Sequence, residues 1–147
     1  MRILLQRVNS ASVKIADSVV GEINEGLLCF VGIADADDSD DIDYIVSKTL
    51  GLRIFNNEDG KFDFSVQDVC GDLLVVSQFT LYANTQKGKR PSFTNAMPPM
   101  KASSLFDETV QKFRASGLRV ETGQFQEEMD VSLANDGPVT IMIDSKK

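Results

Sequence analysis

Between Gly26 and Ile33 the only breaks in an apolar run are glycines, and Leu73 to Tyr82 opens on a second such run, entered through Gly71-Asp72. Successive side chains of a strand point to opposite faces, so a short segment apolar at both parities reads as a strand covered on both sides. Strand signals also fill the start of the chain. Arg2 to Val8 is apolar and extended, and Val13-Lys14-Ile15 and Val19 to Ile23 flank Ala16-Asp17-Ser18 as a hairpin. Leu52 to Phe55 reads as a further short strand, followed by a turn over Asn56 to Gly60.

Two helices are expected. The first follows the acidic stretch Asp35 to Asp43, where Ser39 can cap, first-turn carboxylates favour the helix dipole, and Ile42, Ile45, Val46, Thr49 and Leu50 share one face. A calcium loop is the rival reading of that stretch. It fails because Asp40 stands where a glycine is required and Val46 where a glutamate is required. The second helix runs over Lys101 to Ala115 with Leu105, Phe106, Thr109, Val110 and Phe113 inward and Gly117 closing it. Ala83 to Pro99, with Gly88, Pro91, Pro98 and Pro99, reads mostly as loop. The last segment alternates through Met129, Val131 and Leu133, turns at Asn135-Asp136-Gly137-Pro138, and resumes at Val139, Ile141 and Ile143. The expectation is one strand-rich mixed α/β domain over residues 1–147, within the usual domain size of about 100–200 residues.

Several chemistries are excluded by composition. There is no histidine, which removes His-based triads, His metal ligands and the usual near-neutral base. Two cysteines cannot hold a four-ligand zinc, so no metal and no cofactor is expected. Cys29 sits within the apolar run and reads as a buried core thiol; Cys70 precedes a glycine in a turn and reads as inert. The net charge of −7 and pI near 4.5 argue against holding nucleic acid by bulk electrostatics, and no DNA partner is expected. The apolar stretch at the start is too short for a signal peptide and nothing approaches a membrane span, so a cytoplasmic protein is expected.

Two segments break the ordinary pattern. Ser77, Gln78 and Thr80 interrupt an otherwise buried run, which fits either a strand end with polar groups in solvent or the lip of a pocket. Asn135-Asp136-Gly137-Pro138 fits a hairpin turn, yet a glycine directly before proline is confined to extended backbone, and a cis bond there would be a specific feature.

Taken with Met1 to Val8, Gly51 to Phe55, Lys87 to Phe93 and Asn135 to Thr140, the segment Ser77 to Leu81 resembles the D-aminoacyl-tRNA deacylase family, and the resemblance spans essentially the whole chain. One departure is visible: Gln126 and Glu127 stand where the family pattern has two small residues. The resemblance implies that family's fold, with β-barrel-like sheets and two main helices. It implies hydrolysis of the ester of D-aminoacyl-tRNA, and of mischarged glycyl-tRNA, assisted by the 2′-hydroxyl of the RNA. Ser77, Gln78, Phe79 and Thr80 then form the catalytic segment, with the Phe79 amide as oxyanion donor and Thr80 shaping the site, since no base is available to activate its hydroxyl. Gly137 and Pro138 form a cis pair that enters the pocket of the partner subunit in a homodimer and excludes L-amino acids. Asn135, Arg7 and Met129 are counted with that pair, Arg7 holding the loop through carbonyl hydrogen bonds, although on the sequence alone Arg7 reads equally as a surface arginine at a strand end. Lys87, Lys89 and Arg90, with Lys101 as a possible fourth, form a basic segment that either meets tRNA phosphates or is a solvated loop. A non-catalytic nucleic-acid-binding protein on the same fold is the competing reading.

Overall fold

The computed structural model describes residues 1–146. The elements are β1 (Arg2–Ile15), β2 (Ser18–Ile23), β3 (Gly26–Gly32), α1 (Ser39–Gly51), β4 (Phe55–Asn56), β5 (Phe62–Phe64), β6 (Asp72–Ser77), α2 (Pro99–Arg114), β7 (Val120–Thr122) and β8 (Asp130–Asp144). A 3-10 turn over Phe79–Tyr82 follows β6. The main sheet has the order β2-β1-β3-β6-β7, with β8 along the other edge of β1; β4 and β5 form a separate ribbon.

The two apolar runs are indeed covered on both faces. Leu27, Cys29, Val31, Leu73 and Val75 join the core beneath the helices, whereas Leu28, Leu74 and Val76 join a second core with Val8, Ala11, Val13 and Ile23. The second core exists because the sheet curls over itself. A Cβ on Gly21 would stand 2.6 Å from the Thr122 carbonyl oxygen, so β2 lies against the far end of the sheet at a separation only glycine permits. The result is the nearly closed, barrel-like mixed α/β fold with two helices.

Five local readings are corrected. The opening strands merge into one fourteen-residue β1, which pairs with β3 through its first half and β2 through its second. Leu52 to Phe55 contributes only Phe55 to a strand. Strand β6 stops at Ser77, so the polar residues beyond it are not in a strand. The cap of α1 is Asp38 rather than Ser39: its carboxylate accepts from the amides of Asp40 and Asp41, and Asp41 accepts from the Asp38 amide in return. Helix α2 begins two residues earlier than expected, with Pro99 in its first turn, where a missing N–H costs nothing.

The largest correction concerns Asn135 to Pro138. There is no hairpin; β8 continues through the segment and pairs with β1 on both sides of it. Gln6 pairs with Thr140 and Val8 with Asn135, so Arg7 alone faces the whole of Asp136 to Val139. The surplus backbone leaves the sheet as a bulging loop.

Candidate active site

Strands β3, β6 and β7 run parallel, and a cleft of about 620 Å³ opens where their carboxyl ends stop together. Such ends are where open sheets place ligands, because backbone amides and the following loops converge there without blocking one another. Val31 of β3 and Ile33 just beyond it line the cleft, with Val76 and Ser77 of β6, Gln78 and Phe79 after its end, and Phe125 to Glu127 from the turn beyond β7. Phe125 is held in place by the ring of Phe106 on α2, 5.9 Å away between centroids. Met129 closes the wall next to it.

The break in the apolar run therefore serves the cleft. The Gln78 amide donates to the Val31 carbonyl at 2.7 Å, which anchors the end of β6 to β3. The next residue starts the 3-10 turn, and the first amide of a helix has no acceptor within it. Among the described residues nothing else accepts from the Phe79 amide, which leaves a backbone donor at the cleft. The exposed Phe79 ring meets Phe93 edge-on at 5.0 Å. Phe93 follows a loop pinched shut where Asn84 and Ser92 exchange backbone hydrogen bonds at 2.8 and 3.0 Å.

Of the expected catalytic segment, Ser77, Gln78 and Phe79 line the cleft together with Met129, while Thr80 stands beside it on the exposed 3-10 turn. The Thr80 hydroxyl accepts a hydrogen bond from the Gln78 side-chain amide. An amide is no base, so this contact orients the hydroxyl without activating it. Lys87, Lys89 and Arg90 lie on the exposed pinched loop, and none enters an ion pair among the described residues.

Arg7, Asn135, Gly137 and Pro138 form a second group that does not line the cleft of its own chain. The Gly137-Pro138 peptide is cis. Asn135 closes the base of the bulging loop: in the amide orientation that satisfies its partners, Nδ2 donates to the carbonyls of Arg7 at 2.9 Å and Val139 at 3.2 Å, and Oδ1 accepts from Thr140. Arg7 is buried to 4 % exposure, which removes the reading of a surface arginine. Its Nη1 donates to the Ile54 carbonyl at 2.6 Å, and its guanidinium lies between the rings of Phe55 and Phe62. Nε is 2.9 Å from Asp136 Oδ2, near enough for an ion pair but off the N–H line, so Nε makes no aligned hydrogen bond. Arg7 therefore holds the loop through a carboxylate, and the carbonyl it binds belongs to Ile54.

The Cys29 thiol is buried and pushed well above its ordinary pKa by desolvation, as befits an inert core residue. Cys70 is exposed in a turn. No cluster of metal-ligating side chains occurs among the described residues, and no helix there is long and apolar enough to cross a membrane. Among the cleft-wall residues that reading the sequence missed are Phe93 and Phe125. Their only signal is an apolar side chain in or beside a loop.

A family model described as D-Tyr-tRNA(Tyr) deacylase matches residues 4–144. A D-aminoacyl-tRNA deacylase of Thermotoga petrophila is 51% identical over 147 residues, covering 100% of this chain and 99% of that protein. One from Aquifex aeolicus is 52% identical with the same coverage. Among solved structures, one titled c-Myc DNA Unwinding Element Binding Protein superposes with a TM-score of 0.92 at 35% identity, covering 98% of each chain. Another, titled as a probable eukaryotic D-amino acid tRNA deacylase, has a TM-score of 0.85 at 18% identity over 97% of each chain and is a likeness of fold.

Proposed function

The chain belongs to the D-Tyr-tRNA(Tyr) deacylase family, and from that membership we propose how it works as a D-aminoacyl-tRNA deacylase, a hydrolase that cleaves the ester between a D-amino acid and the terminal ribose of tRNA. The observation that carries the mechanism is the unpartnered Phe79 amide at the carboxyl end of β6, beside a cleft lined by Ser77 and Gln78. Water adds to the ester carbonyl, the Phe79 N–H stabilises the resulting oxyanion, and the C–O bond to the 3′-oxygen breaks to release free amino acid and tRNA. The proton of the attacking water passes by way of the neighbouring 2′-hydroxyl to the departing 3′-oxygen. Assistance from the RNA suits a site with no histidine and with a threonine hydroxyl whose partner is an amide.

Chiral selection in this reading comes from the loop at Gly137 and Pro138, which stands apart from the cleft of its own chain and so suits the cleft of a second copy. The working unit is then a twofold homodimer, each copy supplying backbone that occupies the space an L-side chain needs. Exclusion by backbone is indifferent to the identity of the D-side chain, and glycine, with no side chain, is accepted as well. The unpaired cations Lys87, Lys89 and Arg90 border the site through Phe93 and meet the tRNA phosphates, with quality control of translation in the cytoplasm as the setting.

The test is parallel hydrolysis of D-tyrosyl-, L-tyrosyl- and glycyl-tRNA. Rapid loss of the D and glycine esters with the L ester spared is expected. Survival of all three would overturn the reading in favour of a nucleic-acid-binding protein without catalysis.

A further inference from the structure

Glu127 is the one charged side chain among the residues that line the cleft; the others are apolar or neutral. It sits on the turn after β7, where its amide donates to the Gln124 carbonyl at 3.4 Å. The residue before it, Gln126, is held at φ +64, a left-handed conformation. The backbone there is set by the turn, which presents the following side chain at the cleft. Glu127 belongs to none of the ion pairs formed among the described residues. Its charge is therefore not spent on a neighbour.

The free cations of the pinched loop do not line the cleft, so phosphate recognition and the interior of the cleft are separate environments. The part of an aminoacyl-tRNA that enters the cleft is the acylated terminal adenosine, whose base and ribose are uncharged. The charges left to meet Glu127 are the α-ammonium, common to every substrate, and the amino-acid side chain, which varies. Glu127 is itself exposed at the wall of the cleft, so its charge acts across a largely aqueous path.

Resting on the deacylase reading, we propose that Glu127 tunes the substrate range, favouring D-aminoacyl esters with cationic side chains and disfavouring those with acidic ones. Two unit charges some 6–8 Å apart across that path give an effect of roughly threefold per side-chain charge. The residue acts on selectivity between substrates rather than on the reacting bond.

The experiment uses one acceptor-stem RNA charged chemically with D-lysine, D-glutamine or D-glutamate, so that only the amino acid differs. Values of kcat/KM are measured at low salt for the wild-type protein, Glu127→Gln and Glu128→Gln. Glu128 is exposed and does not line the cleft, so its substitution makes the same change in net charge away from the site. The D-lysyl to D-glutamyl ratio is expected to fall roughly tenfold in Glu127→Gln and to stay at the wild-type value in Glu128→Gln. An equal shift in both variants would assign the effect to overall charge and overturn the proposal, as would no shift in either. Hydrolysis of the neutral D-glutaminyl ester by the wild-type protein reports on the deacylase reading separately. Its complete failure would overturn that reading and this proposal together.

Discussion

The Arg7 guanidinium occupies the space that a side chain at Gly137 would need: a Cβ built there lies 2.7 Å from Arg7 Nη2 and 3.0 Å from a Val139 methyl. Gly137 also has φ +113, a conformation that only glycine adopts without strain. The loop and the buried arginine thus form one unit, packed so closely that neither accepts an added atom.

Gly137→Ala is therefore expected to destabilise the protein by about 1–3 kcal/mol through the left-handed backbone and the displaced guanidinium. Deacylation of D-tyrosyl-tRNA should fall by more than the loss of folded protein explains. Urea denaturation run beside single-turnover assays checks both, and a variant with wild-type stability would contradict the packing.

Thr80→Ala is expected to lose only a few-fold in single-turnover rate. Its hydroxyl accepts from the Gln78 amide, and no base stands ready to take its proton. A rate near that of the uncatalysed ester would make Thr80 the nucleophile.

The salt dependence of tRNA affinity tests the pinched loop. Each phosphate contact contributes a slope of roughly −0.9 in a plot of log affinity against log salt for duplex, and roughly −0.7 for single strands. Lys89→Ala and Arg90→Ala should each reduce the slope by about one contact. An unchanged slope in both variants would leave the loop merely solvated.

Acid should destabilise the protein through Asp41. Burial raises the pKa of this carboxyl, but the Lys146 ammonium, the Ser145 hydroxyl and the Asp38 amide together overcome that and hold it below the ordinary 3.8. A group with a depressed folded pKa contributes stability above its unfolded value and loses it as pH falls through the folded one. The contribution is thus fully present at pH 7, begins to be lost below about pH 4, and declines progressively as the pH falls toward the depressed folded value. Asp41→Asn should lower stability at pH 7 by about 1–3 kcal/mol and flatten the acid limb of the stability curve, measured by urea midpoints from pH 7 to pH 3. Parallel acid limbs in the two proteins would contradict this.

What could be read in the sequence was whatever a local pattern encodes. The parity of Leu27, Leu28, Leu73 and Leu74 showed strands covered on both faces, because alternation is a property of the strand itself. The faces of both helices were legible from their own periodicity, whereas the polar break at Ser77 to Thr80 fitted a solvated strand end as well as a pocket lip, and only the fold puts Ser77, Gln78 and Phe79 on the cleft. The Asn135 to Pro138 segment was not legible in this way. Asn, Asp, Gly and Pro have the same turn chemistry in a hairpin as in a bulge, and what separates them is whether β1 keeps pairing beyond the segment. Arg7 shows the same limit. One arginine on a strand has no local signature of burial; it is buried because Ile54, Phe55, Phe62 and Asp136, distant along the chain, are brought around it. The sequence by itself determined the elements and their buried faces, through interactions spanning a few residues. Tertiary structure alone decided where β8 bulges, which strand ends meet to open the cleft, and which charge is left unpaired inside it, since each depends on partners that only folding brings together.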